Sequence, residues 1–124
     1  MKQVVRTEKV AAPTNPFSLG IKANGFLYVS GQVGKGSDGK LVGGFREQVK
    51  QAMENLKAII EAGGATLEDV VKVNISVTDI SKMGELNEIY RDYFKGDYPA
   101  RAAVEVSGLG MNAEVEIEAI VLIN

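Results

Sequence analysis

Few side chains in this sequence are equipped for chemistry, because it contains neither cysteine nor histidine. The commonest nucleophile, the commonest metal ligands and the commonest acid–base group are thereby missing. What remains is a guanidinium at Arg101, opening the stretch YPARAAVEV at 98–106, and three carboxylates in EVEIEAIVLI, namely Glu114, Glu116 and Glu118. Spaced i, i+2, i+4, the three glutamates project from one side of a strand. A guanidinium is permanently charged and grips a planar carboxylate through two parallel hydrogen bonds, while a carboxylate serves as general base towards water. Alternation assigns Arg101, Ala103 and Glu105 to the face of the three glutamates, with Asn74 and Ser76. Ala102, Val104 and Val106, with Val115, Ile117, Ala119 and Val121, then point at the helices. The polar face is either solvated or one wall of a charged cavity closed by another subunit. Arg101 accordingly binds an anion or forms a structural ion pair with Glu105 or Glu116. Glu114 and Glu118 are taken as structural or solvated.

The elements that must hold these groups follow from periodicity. NGFLYVSGQ (24–32) is a glycine-bounded apolar run that suits a strand. GKGSDGK (34–40) is a turn-rich loop with its tight turn at Asp38-Gly39. Phe45, Val49, Met53, Leu56 and Ile60 recur at helical spacing until Gly63-Gly64. VVKVNISVT (70–78) alternates, with Val71, Val73, Ile75 and Val77 on one face. A second helix starts near Ser81, its stripe running through Met83, Leu86, Tyr90, Tyr93 and Phe94. Asn87 lies on that stripe, either as a locally bonded amide or as part of a site. Pro99 ends the connection to a strand beginning near Arg101, and a turn at SGLGMN (107–112) leads into an antiparallel partner strand. The order strand, helix, strand, helix, strand, strand predicts an α+β sandwich with both helices on one face of a mixed sheet.

Composition sets the bounds. The chain has 124 residues, one domain by length, with 14 basic and 16 acidic residues for a net charge of −2. Scattered basic residues argue against a nucleic-acid surface. The first residues lack a signal-peptide core and no apolar run approaches membrane length, so the chain is expected to be cytoplasmic and not membrane-bound. Gly31, Gly34 and Gly36 match no phosphate-loop spacing.

Four segments together, YVSGQ (28–32), NEIYRDYF (87–94), PARAAVEV (99–106) and VEIEAI (115–120), resemble the RidA family of YjgF-like reactive-intermediate enamine/imine deaminases. The likeness runs over nearly the whole chain in the family's order. It implies a single domain over 1–124 with a chorismate-mutase-like α+β fold: a mixed sheet of about six strands carrying two helices on one face. It also implies a homotrimer whose sites lie in clefts between subunits. The implied reaction is hydrolysis of 2-aminoacrylate- and 2-aminocrotonate-derived enamines and imines to 2-oxo acids and ammonia, without cofactor or metal.

Carried over by position, the resemblance makes Arg101 the clamp for the substrate carboxylate and Glu116 the residue that orients and deprotonates water. Ser30, Gly31 and Asn87 line the site, and the main-chain carbonyl of Ala103 faces the imine nitrogen. Phe17, in NPFSLG (15–20), keeps an aromatic wall but lacks the hydroxyl of the usual tyrosine. Leu19 replaces an amide, and Gly34 and Gly110 stand where prolines are common. Such chemistry manages without histidine because a protonated imine is already electrophilic, leaving mainly orientation to supply. Two competing readings remain. One is a non-catalytic trimer that binds small 2-oxo acids through the same cleft, for which Glu116→Gln would leave affinity intact. The other is RNA cleavage, which the charge pattern does not favour.

Overall fold

Alternating branched and aromatic residues build six strands in the computed structural model, which describes residues 1–123. They are β1 (Gln3–Val5), β2 (Gly20–Ala23), β3 (Phe26–Val33), β4 (Val70–Val77), β5 (Ala100–Glu105) and β6 (Val115–Leu122). Two helices, α1 (Phe45–Ala62) and α2 (Met83–Arg91), connect β3 to β4 and β4 to β5. The sheet runs β1-β2-β3-β6-β4-β5, antiparallel at every junction except β4/β5. This is the mixed six-stranded α+β architecture expected from the sequence.

The helical stripe of α1 is buried as its spacing requires, through Phe45, Val49, Met53, Leu56 and Ile60. It meets Leu27 and Val29 of β3, Val73, Ile75 and Val77 of β4, and Val115, Ile117, Ala119 and Val121 of β6 in one core. Each such side chain, fully buried, contributes about 1.5–3 kcal/mol. Gly64, at φ +88°, turns the chain out of α1 in a conformation that glycine adopts without strain. The loop after β3 closes around Asp38-Gly39 as predicted: Gly39 has φ +81° and the Lys40 amide donates to the Asp38 carboxylate at 3.0 Å.

The structure corrects four local expectations. β6 does not form a hairpin with β5; it lies between β3 and β4, and β5 occupies the sheet edge. Alternation identifies which face a side chain takes but not which strand lies next to it. α2 stops at Arg91, so Tyr93 and Phe94 pack from the turn beyond it rather than from the helix. Val71 is 41% exposed while Val70 is buried, because the β4/β6 register shifts between Val70 and Lys72. The short N-terminal strands β1 and β2 extend the sheet beyond the run read from residue 24 onward.

A further correction concerns faces, and it governs the site. β5 pairs with β4 in parallel register, Val73 opposite Arg101, Ile75 opposite Ala103 and Val77 opposite Glu105. Since Val73, Ile75 and Val77 point into the core, Arg101, Ala103 and Glu105 share the helix-covered side. Val104, expected to face the helices, is instead 52% exposed on the open side. Glu116 and Glu118, opposite Ser76 and Asn74, occupy that open side as expected. Arg101 and Glu116 therefore stand on opposite faces of one sheet.

Candidate functional site

The predicted site residues fall into two groups. The first is on the helix side. Pro99 leads into the edge strand, fixing the backbone from which Arg101 emerges. The Arg101 Nη1 donates to Asn87 Oδ1 of α2 at 2.8 Å, and its Cζ lies 5.0 Å from the centre of the Tyr90 ring. Asn87, Tyr90, Arg91, Tyr98, Pro99 and Arg101 line one open cavity. Among the described residues Arg101 makes no ion pair. The alternative partner Glu105 instead accepts the Ile80 amide at 3.0 Å. A guanidinium held by a neutral amide keeps its full charge for an incoming anion. Ala103, two residues along the edge strand, is half-buried against the core.

The second group is on the open side. The β3/β6 register shifts between Val29 and Gln32, so Ser30 and Gly31 sit in an irregularity of β3. Gly31 is needed there for space: a β-carbon on it would lie 2.7 Å from the Glu116 carboxyl carbon. The Ser30 hydroxyl donates to the Ser18 carbonyl, and the Ser30 amide donates to the Leu19 carbonyl at 2.9 Å. These bonds strap the segment carrying Phe17 against β3. Phe17, Leu19, Gly31, Lys35, Met111 and Glu116 line a second cavity.

The three glutamates have separate environments. Glu114 pairs with the Lys82 ammonium at 3.0 Å, and its amide donates to Gln48 Oε1. Glu118 accepts the Asn74 side-chain amide at 3.1 Å. Glu116 has no hydrogen-bond or ion-pair partner among the described residues. Partial burial, and secondarily the Glu118 charge, raise its carboxyl above the ordinary 4.5. A carboxylate with free lone pairs and increased basicity is suited to accept a proton from water.

Five of the expected site residues line one of two cavities, Ser30 adjoins Gly31 in the chain, Ala103 lines neither, and a single chain does not join the cavities. Asn87 and Arg101 form one half; Phe17, Ser30, Gly31 and Glu116 form the other. Two further groups escaped sequence reading. Tyr90, 4% exposed, sits beneath Arg101, and Tyr98, 55% exposed, stacks on it with ring centres 6.3 Å apart. Tyr90 was visible only as a member of the apolar stripe, three residues beyond Asn87. That spacing puts both on the helix face that Arg101 meets.

Comparison with known proteins gives this geometry a context. The family model described as Endoribonuclease L-PSP matches residues 7–123. A RutC family protein of Aquifex aeolicus is 51% identical over 117 residues, covering 92% of this chain and 94% of the relative. The mouse 2-iminobutanoate/2-iminopropanoate deaminase is 43% identical over 122 residues, covering 97% and 90%. The crystal structure of RidA from the Antarctic bacterium Psychrobacter sp. PAMC 21119 superposes with a TM-score of 0.95 at 43% identity, covering 98% and 99%. Sequence and fold agree, and the chain belongs to the YjgF/RidA family.

Proposed function

We infer that this protein is a deaminase that hydrolyses small 2-imino acids and their enamine tautomers to 2-oxo acids and ammonia, in clefts formed between chains of a trimer. The observation that carries the reading is the division of the site. An unpaired cation and an unpaired carboxylate each line an open cavity, on opposite faces of the sheet. The Arg101 cavity has no carboxylate in its lining, the Glu116 cavity has Lys35 as its cation, and a neighbouring chain brings Arg101 and Glu116 together. Val104, Tyr28 and Leu122, exposed on the open face at 52%, 46% and 46%, give that face apolar area to bury in such an assembly. The deaminase name carried by the mouse relative supports the choice of reaction.

In the assembled cleft Arg101 of one chain binds the substrate carboxylate with the donors that Asn87 leaves free. The Ala103 carbonyl of that chain faces the protonated imine nitrogen and stabilises its charge. Glu116 of the neighbouring chain holds a water against the imine carbon and takes its proton as the carbon–oxygen bond forms. The same carboxyl then returns the proton to nitrogen, and the tetrahedral aminoalcohol expels ammonia as its hydroxyl proton passes to that carboxylate, leaving the 2-oxo acid. Gly31 gives Glu116 room, Ser30 fixes the Phe17 segment, and Phe17 walls the cleft. The reaction needs neither metal nor cofactor. Nucleic acid is not the expected substrate, since scattered basic residues in a chain of net charge −2 make no phosphate-tracking surface.

Subunit mixing tests the reading. Arg101→Ala and Glu116→Gln are each expected to abolish acceleration of pyruvate and ammonia release from dehydratase-generated 2-aminoacrylate. Exchanged together in equal amounts, they form one intact cleft in each mixed trimer, restoring roughly a quarter of wild-type activity. Full turnover by either variant alone, or none from verified mixed trimers, refutes the shared cleft. A binding protein without catalysis would instead give no turnover even in the wild type, with 2-oxo acid affinity retained by Glu116→Gln.

A further inference from the structure

The Arg101 guanidinium has two contacts of different kinds. One hydrogen bond, Nη1 to Asn87 Oδ1 at 2.8 Å, fixes a single corner. A planar group held at one corner still swings and tilts about that bond. The second contact is the Tyr90 ring, with the guanidinium carbon 5.0 Å from its centre, within the range where the negative ring face attracts a cation. Tyr90 is itself immobile. It is 4% exposed, with the Phe94 ring centre 4.9 Å away and the Tyr98 ring stacked at 25°. Its hydroxyl is buried without a hydrogen-bond partner among the described residues. An orphaned hydroxyl costs free energy, so it is not what recommends tyrosine here; the ring is.

We propose that Tyr90 is a positioning residue whose ring face sets the plane of the Arg101 guanidinium, so that its free edge meets a bound carboxylate squarely. The proposal rests on the reading of Arg101 as the carboxylate clamp. Asn87 fixes rotation within the plane, Tyr90 fixes the plane, and Tyr98 and Phe94 hold Tyr90. Burial, partly opposed by the Arg101 charge, keeps the Tyr90 hydroxyl protonated up to a pKa of about 12. The ring therefore remains neutral at any working pH. Orientation of this kind acts on carboxylate affinity and leaves the water-activating half untouched.

The test replaces Tyr90 by phenylalanine and, in a second variant, by a ring-trifluorinated phenylalanine that keeps the shape but removes the negative face. Pyruvate binding is measured by calorimetry, with KM and kcat for 2-aminoacrylate alongside. Tyr90→Phe is expected to bind pyruvate within about twofold of wild type. The fluorinated ring is expected to weaken binding and raise KM about three- to tenfold, with kcat and melting temperature matching Tyr90→Phe. Equal affinity for the two variants overturns the ring-face role. A full loss already in Tyr90→Phe overturns it in favour of the hydroxyl. Arg101→Ala keeps the two questions apart: if it binds pyruvate like wild type, the clamp itself is refuted. If it loses binding while the fluorinated variant does not, only the positioning role fails.

Discussion

Gly31→Ala isolates the carboxylate half of the site. The added β-carbon would lie 2.7 Å from the Glu116 carboxyl carbon and 3.0 Å from both its Cγ and Oε1, where ordinary contact begins at 3.4 Å. The carboxyl must therefore retreat by about 0.7 Å. Since the obstructing atoms are the end of a flexible side chain, the fold should accommodate this at a cost within about 1 kcal/mol. In the proposed mechanism the water that Glu116 orients has no such freedom. A misplacement of 1 Å costs about a hundredfold in rate, so a shift of this size should lower kcat on the order of 30-fold. The assay supplies 2-aminoacrylate from serine through a dehydratase and follows pyruvate and ammonia against the uncatalysed rate. Pyruvate affinity, assigned in the proposal to Arg101 on the other half, should stay within about twofold. If kcat remains within twofold in a folded variant whose carboxyl has moved, Glu116 does not position the water.

Local environments set the remaining expectations. The acid limb of the kcat/KM profile should lie above 4.5, because partial burial and the Glu118 charge raise the Glu116 carboxyl. Glu118→Gln removes the smaller cause, so the limb should move down in pH yet stay above 4.5, and an unmoved limb refutes the coupling. A raised carboxyl also makes the folded state bind the extra proton. Its contribution to stability is complete below 4.5 and is lost as pH rises through the folded value. Gly34→Ala and Gly84→Ala should have opposite signs in thermal denaturation. The first puts a β-carbon 2.4 Å from the Gln48 Cα within α1 and should cost about 1–3 kcal/mol, a fall on the order of 10 °C. The second meets nothing within 4 Å on α2 and should gain up to about 1 kcal/mol.

Much of this was legible in the sequence, where side chains carried strong alternation or spacing. The α1 stripe ends at the expected glycines, and Val115, Ile117 and Val121 of β6 are almost completely buried. β5 was different. Ala100, Ala102 and Ala103 offer nearly equal bulk on both sides, so Val104 decided the assignment and decided it wrongly. In the proposed trimer a neighbouring chain covers this edge strand and its exposed valine, and pattern within one chain does not report such cover. The same limit explains the site. YVSGQ and PARAAVEV carry residues that line the two cavities, but which face Arg101 takes depends on the β4/β5 register. Ser30 and Gly31 lie at a bulge that alternation cannot anticipate. Tyr90 was hidden because an aromatic residue on a buried stripe is accounted for by packing alone.

With the sheet's backbone between guanidinium and carboxylate, no change of rotamer unites them within one molecule. If they cooperate as proposed, a newly synthesised polypeptide finishes folding while still inert and becomes competent only when it meets its siblings. Dilution then silences the catalyst without unfolding it, and specific rate climbs with protein concentration until association saturates.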